Sequence, residues 1–139
     1  MEIIANALQT VLANQNVYFT DSVICGNTSM THRDDSGLVT LRGVTNQCRA
    51  RFKVTFGGNI AIPTGGTVGP ISLAIAIEGE AVPATTMTVT PAAVEQFFNV
   101  SASVFIDVPR GCCMTISVKN ITEGPVEVQN ANLIVTREA

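Results

Sequence analysis

The one place where this sequence sets a histidine beside carboxylates is His32-Arg33-Asp34-Asp35. A histidine with an acid at short range is the minimum for general acid–base work or for part of a metal site. Asp34-Asp35-Ser36-Gly37 is also the composition of a tight turn, where aspartate side chains bond their own backbone, and the turn explains it better. No Gly-x-Ser-x-Gly, His-Glu-x-x-His or phosphate-loop pattern occurs. The glycines between 57 and 69 lack the Lys-Ser/Thr ending of a phosphate loop and belong to hairpin turns. Glycosidases need paired carboxylates in a cleft, and sugar-binding clefts tend to offer aromatic platforms. With no Trp and one Tyr, the chain weighs against both. The expectation is a protein that is not an enzyme and needs no cofactor and no metal.

The four cysteines are Cys25, Cys48, Cys112 and Cys113. Cys-x2-Cys spacing is absent and His32 is the only histidine, so zinc is not expected. Adjacent Cys112 and Cys113 point to opposite strand faces and do not pair readily with each other. Four reduced thiols acting as small hydrophobes is the expectation, with Cys25–Cys48 the one disulfide to look for. Arg49, Arg51 and Lys53 form the strongest charged stripe. Such a stripe serves either as contact for an acidic partner or as a solvated face that protects a strand edge.

These side chains have to be positioned by strands. Ala50, Phe52, Val54 and Phe56 alternate with the Arg49-Arg51-Lys53 stripe in strict period two. The even positions from Phe98 to Val108 are all apolar, and Met114, Ile116 and Val118 alternate with Thr115, Ser117 and Lys119. Earlier strands are expected at 7–12, 16–20, 28–33 and 38–42, with a bulge or bend at Gly57-Gly58 and one helical turn over Pro91–Glu95. No window shows a convincing helical period, and turn signals recur at short intervals, as in a β-sandwich or barrel. The expected core is Phe52, Val54, Phe56, Leu73, Ile75, Ile77, Val100, Val104, Ile106, Ile116, Val118 and Ile134.

The stretch Pro70–Gly79 departs from the usual pattern. Leu73, Ile75 and Ile77 make one large aliphatic face, while Ser72, Ala74 and Ala76 make a second face that is small and uncharged. A strand half-exposed to water alternates apolar with strongly polar residues. Here the second face is suited to another protein surface. At 139 residues the chain is read as one domain, with only 14% charged residues against roughly 25% in an ordinary globular domain. That scarcity points to surface hidden in an oligomer. A net charge of −3 argues against nucleic acid as partner. There is no apolar run long enough to cross a membrane, and Met1-Glu2-Ile3-Ile4 is acidic where a secretory signal is basic, so a cytosolic site of synthesis is expected. That origin makes the three Asn-x-Ser/Thr triplets chance matches to a glycosylation site.

Gly37–Gly43, Gly58–Pro63 running into Gly69–Ile75, and Asp107–Cys113 resemble a group of short structural proteins from phages and prophages of Gram-positive gut bacteria. More distantly, the strand plan is similar to the tumour-necrosis-factor/C1q jelly roll. The resemblance implies an all-β, antiparallel jelly-roll sandwich that assembles as a homotrimer on a particle surface, and it implies no catalytic residue. The function expected on this basis is a non-enzymatic virion protein, a trimeric capsid decoration or head-fibre protein. It would be assembled in the bacterial host cytoplasm, placed on the virion surface and bound to the major capsid protein or another virion protein. The alternative is a receptor- or glycan-binding tip module of a phage fibre or spore filament. Ser72, Ala74, Ala76, Phe97 and Phe105 are the expected trimer-interface residues, and Arg49, Arg51 and Lys53 the expected partner contacts. Residues 1–14 are expected to be either an anchoring segment or the first strand of the chain's own sheet.

Overall fold

A computed structural model describes residues 1–139, and it consists of twelve strands, a single 3₁₀ turn at Pro83–Thr85 and connecting loops. In chain order the strands are β1 (Glu2–Ala5), β2 (Gln9–Val11), β3 (Asp21–Ile24), β4 (Met30–His32), β5 (Val39–Arg42) and β6 (Arg49–Ala61). They continue as β7 (Ile71–Ile77), β8 (Glu80–Ala81), β9 (Met87–Val89), β10 (Phe98–Pro109), β11 (Cys113–Asn120) and β12 (Val126–Arg137). Two antiparallel sheets face each other. One has the order β10-β6-β12-β1-β3 with β2 on β12, and the other β4-β5-β11-β7-β8 with β9 on β7. The chain is an all-β jelly-roll sandwich, as the alternation of its strands predicts.

The inner faces meet in one hydrophobic cluster that draws on both sheets, with Phe52, Val54, Phe56, Leu73, Ile75, Ile116 and Val118 wholly buried. Phe19 and Phe56 pack edge to face at 6.5 Å between centroids. Ile77 and Val104, also expected in the core, pack against it only partly buried. Asn120 is a buried polar residue whose amide is fully used. It donates to the carbonyls of Val11 and Gly124, both at 2.9 Å, and accepts from the Thr122 amide.

The expected bulge lies on the other strand of its pair. β6 runs through Gly57-Gly58 without a break, while Gly57 pairs with Asn132 and Asn59 with Gln129. β12 therefore spends Asn130 and Ala131 where β6 spends Gly58 alone. Asn130 takes a left-handed backbone, φ 54, which asparagine tolerates better than most residues. Close approach explains the glycines. A Cβ on Gly58 would lie 3.1 Å from Phe56 Cζ, and one on Gly57 would lie 2.9 Å from Asn132 Oδ1. The extra residue flips the facing of β12, so Val126 and Val128 are buried before it and Leu133 and Val135 after it. Ile134, expected in the core from period two, is thereby turned outward and is 36% exposed.

Other expectations shift near the N-terminus. The stretches 7–12 and 16–20 yield one short strand, β2, while β1 and β3 fall outside them. Residues 14–19 instead run beside β11 and the β4–β5 turn, through Asn14 to the Asn120 carbonyl, Val17 to Val118 and Phe19 to Ser36. β1 is hydrogen-bonded on both sides, to β12 and to β3, so residues 2–5 form a first strand and offer no free edge for anchoring. Pro91–Glu95 turns without forming a helix. At the free side of β7, β9 pairs with residues 71–73 and β8 with 76–77. Buried Thr85 fills the gap between them, its hydroxyl accepting from the Ile75 amide at 2.9 Å and donating to the Val82 carbonyl at 2.7 Å.

The bulge makes a pair of neighbouring substitutions unequal. Leu133→Ala is expected to cost about 2–5 kcal/mol of stability, and Ile134→Ala under about 1 kcal/mol, in urea unfolding followed by circular dichroism. Equal costs would mean that β12 keeps one facing throughout.

Candidate functional site

The cluster with the most chemical promise in the sequence is a turn in the structure. His32 Nε2 lies 2.9 Å from the Ser36 carbonyl, which can only accept, so the proton sits on Nε2. Its Nδ1 is buried without a partner, and the ring stands edge-on to Phe19 at 6.4 Å. Asp34 accepts from the Ser22 hydroxyl, and Asp35, at φ 66, donates its amide to the Phe19 carbonyl. His32 and the Asp34 carboxylate are each bonded elsewhere in the turn, and Asp35 is engaged through its backbone amide. Cys25, Cys48, Cys112 and Cys113 are all exposed free thiols, so Cys25 and Cys48 are not bridged.

One carboxylate of its own sheet partly offsets the basic stripe. The β6–β10 register sets Asp107 opposite Arg51 and Phe105 opposite Lys53. Arg51 grips the Asp107 carboxylate with two bonds, at 2.8 and 3.1 Å, and Arg49 approaches it at 3.2 Å. The Lys53 ammonium stands 6.0 Å above the Phe105 ring. Asp107 is held below the usual carboxylate range, by the Arg51 hydrogen bonds above all.

The small face of β7 is used within the chain. Ala74 and Ala76, expected at a trimer interface, have no exposed surface at all. Lys119 pairs with Ala74, yet its ammonium reaches the Gly79 carbonyl at 3.1 Å, so this contact spans the strand segment that holds both alanines. Ser72 is half-buried, its hydroxyl bonded to that of Thr88. Phe97 and Phe105 do remain available, 38% and 61% exposed. Phe105 belongs to the outward face of the sheet β10-β6-β12-β1. There it lies in a row with Lys53 and Thr136, next to the row Ser103, Thr55, Ile134 and Glu2, and the row Ser101, Gly57, Asn132 and Ile4. This face has small side chains at its centre, carries Phe105, Ile134 and Ile4 as large apolar groups, and bears Lys53, Glu2 and the Arg49–Arg51–Asp107 cluster around them.

A second feature had no trace in the sequence patterns. An open groove of about 800 Å³ runs past Thr10, Thr64, Gly66, Thr122, Glu123 and Glu127. Glu127, on β12 between Ala61 of β6 and Thr10 of β2, is only 8% exposed, and its Oε2 is buried with no partner. Glu95 comes to it from the turn before β10. That turn is fastened by the Glu95 amide to the Ile62 carbonyl at 2.8 Å, and Glu95 Oε1 accepts from the Thr64 amide and hydroxyl at 3.0 and 2.8 Å. The Thr64 hydroxyl holds the Glu95 carboxyl below its ordinary range. Burial first, then the neighbouring Glu95, pushes Glu127 above its own. The two carboxyls are therefore shifted in opposite directions, Glu95 down and Glu127 up. Because 31 residues separate them, no local spacing could have paired them.

No family model and no curated protein sequence matches the chain. Among solved structures, it is similar to the globular domain of zebrafish complement 1qA protein, with a TM-score of 0.63 and 12% identity over 96% of this chain and 93% of that one. It is more loosely similar to the sugar-binding C-terminal domain of EclA, with TM-score 0.45 and 14% identity over 95% of this chain and 79% of that one. A family 35 carbohydrate-binding module from Clostridium thermocellum gives 0.35 and 15% over 96% and 91%. The first likeness shows that the chain has the C1q-type jelly-roll fold, and the other two superpose too loosely to add to it.

The carboxyl pair sets a pH dependence. A carboxyl whose pKa rises on folding supports the fold fully below its ordinary pKa of 4.5 and withdraws that support as pH climbs through the folded value. Glu127→Gln keeps a hydrogen-bonding group without the charge. Its melting temperature is expected to exceed that of the wild type at pH 8 and to lose that advantage by pH 4, in paired thermal melts. A constant difference across this range would deny the pairing.

Proposed function

We propose that the chain is a non-catalytic structural module that forms a homotrimer through the outward face of the sheet β10-β6-β12-β1, and that the trimer decorates a virion surface as a capsid decoration or head-fibre protein. The observation that carries the assembly is Phe105, 61% exposed at the centre of β10 beside the small residues Ser103, Thr55 and Gly57. An exposed aromatic beside small side chains is what the centre of an interface requires. Arg51 and Arg49 share the one carboxylate of Asp107, which offsets part of the positive charge beside that centre. Ile134, turned outward by the bulge, joins the same surface.

This revises the interface expected from sequence. Phe105 stays in it, and Phe97, exposed just before β10, stays beside it. Ala74 and Ala76 leave it, because they are already covered inside the chain. Lys53 then lies beside the Phe105 anchor, and Arg49 and Arg51 lie further along β6, where they steer and orient a capsid partner more than they add affinity. The virion setting rests only on the resemblance of Gly37–Gly43, Gly58–Pro63 with Gly69–Ile75, and Asp107–Cys113 to phage structural proteins.

Two substitutions separate assembly from folding. In sedimentation velocity at micromolar concentration, the wild type is expected as a trimer and Phe105→Glu as a folded monomer. Ala74→Glu forces a carboxylate into a filled interior and is expected to cost several kcal/mol, so it should unfold rather than merely dissociate the chain. Affinity capture from a lysate of the producing phage should then recover the major capsid protein with the wild type and less with Phe105→Glu. Binding to host-surface polysaccharide with no capsid protein would replace decoration with the receptor-binding alternative.

A further inference from the structure

We propose that the depression between Tyr18 and the β4–β5 turn binds one ring of a neutral sugar, with Tyr18 as stacking platform and Asn16, Arg33 and Asp35 as hydrogen-bonding groups. The depression measures about 490 Å³, within the roughly 300–1,000 Å³ of small-ligand sites. Tyr18 is the chain's one tyrosine, and it is 53% exposed on this depression although an aromatic ring gains from burial. None of the four residues lies on β10, β6, β12 or β1, so the site needs no second copy of the chain.

The ring is held rigidly. Gln9 clamps the Tyr18 backbone, its carboxamide donating to the Tyr18 carbonyl at 2.9 Å and accepting from the Tyr18 amide at 3.0 Å. The Phe19 amide donates to the Ser36 carbonyl at 3.2 Å, and the Asp35 amide to the Phe19 carbonyl at 2.9 Å, which ties this segment to the turn. Gly37 is buried between the two. A Cβ there would stand 2.9 Å from Asn16 Cβ and 3.6 Å from Tyr18 Cδ1, so the missing side chain lets the ring lie against the turn. A platform already in place loses little freedom on binding.

The polar groups beside it select the ligand. Arg33 offers only donors, the Asp35 carboxylate only acceptors and the Asn16 carboxamide both, and none of these side chains bonds elsewhere in the chain. A sugar hydroxyl is donor and acceptor at once and can use all three. Arg33 against Asp34 and Asp35 leaves a surplus of one negative charge, which disfavours acidic and phosphorylated sugars. Tyr18 and Leu38 are the apolar walls, too few to enclose a hydrocarbon. The larger groove beside Glu127 has no aromatic, and its Thr64 and Thr122 hydroxyls are bonded to Glu95 and Ser72. With a single platform, the dissociation constant for one ring is on the order of millimolar.

Titration of the nitrogen-15-labelled full chain with the methyl glycosides of glucose, mannose and galactose, each to roughly 50 mM, tests the site by amide shifts. At least one sugar should shift the amides of Asn16, Tyr18 and residues 33–38, and methyl glucuronide should shift them less. Tyr18→Ala should weaken binding about tenfold, while Tyr18→Phe, which keeps the ring, stays close to the wild type. Asp35→Asn should also weaken it, and asparagine tolerates the left-handed backbone there, φ 66. Should Tyr18→Ala fail to fold, Asp35→Asn decides the matter. No shift with any of the three sugars, shifts that map elsewhere, or undiminished affinity in folded Tyr18→Ala or Asp35→Asn overturns the proposal.

Discussion

The last strand has to bury Val126 and Val128 at one end and Leu133 and Val135 at the other, and a strict two-residue period forbids both. The extra residue at Asn130–Ala131 resolves the conflict, and much of the first sheet depends on it. β12 is the central member of that sheet, bonded to β6 on one side and to β1 and β2 on the other. A slip of one residue would turn Leu133 and Val135 to the solvent and remove the middle of the core. Gly57 and Gly58 on β6 are the counterpart of the bulge, since side chains there would meet Asn132 and Ala131. The bulge also determines what faces outward. It exposes Ile134 on the same surface as Phe105, and it lets the first half of β12 keep Glu127 against the groove.

The same geometry separates two surfaces with different chemistry. The outward face of β10-β6-β12-β1 combines exposed Phe105 and Ile134 with small side chains and a partly offset basic stripe. The loop end at Thr64, Glu95 and Glu127 is polar, acidic and concave, with an unsatisfied carboxylate oxygen. Edge protection is handled within the chain as well. Thr85 caps the stretch of β7 that neither β8 nor β9 reaches, so the closing side of the second sheet presents no run of open amides.

Where the sequence carries an uninterrupted period of two, it could be read directly. The alternation through Arg49–Phe56, through Val100–Val108 and through Met114–Val118 places β6, β10 and β11 and most of the core. Ile134 could not be assigned, because a bulge leaves no signature beyond an asparagine that tolerates a left-handed backbone. Ala74 and Ala76 misled for a different reason. A small, uncharged strand face is equally suited to a neighbouring molecule and to cover from the chain's own loops, and only the packing of Lys119 and Gly79 distinguishes them. The Arg49–Arg51–Lys53 stripe was visible as charge, but its partial offset by Asp107 depends on which strand lies alongside and in what register. Glu127, between Val126 and Val128, has the sequence pattern of an ordinary outward strand residue. Its burial comes from β2 and the turn at Glu95, contacts that no local pattern encodes.

The central claim is that one particular face of this sandwich is covered by copies of the same chain. Carbene footprinting over a dilution series measures that directly, because it reports the solvent contact of individual side chains. Leu38 and Val44, 48% and 50% exposed and away from the proposed face, serve as internal references. Phe105 and Ile134 are expected to be protected at micromolar concentration and to gain label on dilution, while Leu38 and Val44 stay constant. If Phe105 is labelled as strongly as Leu38 at every concentration, the face is open to water and the assembly described here does not form.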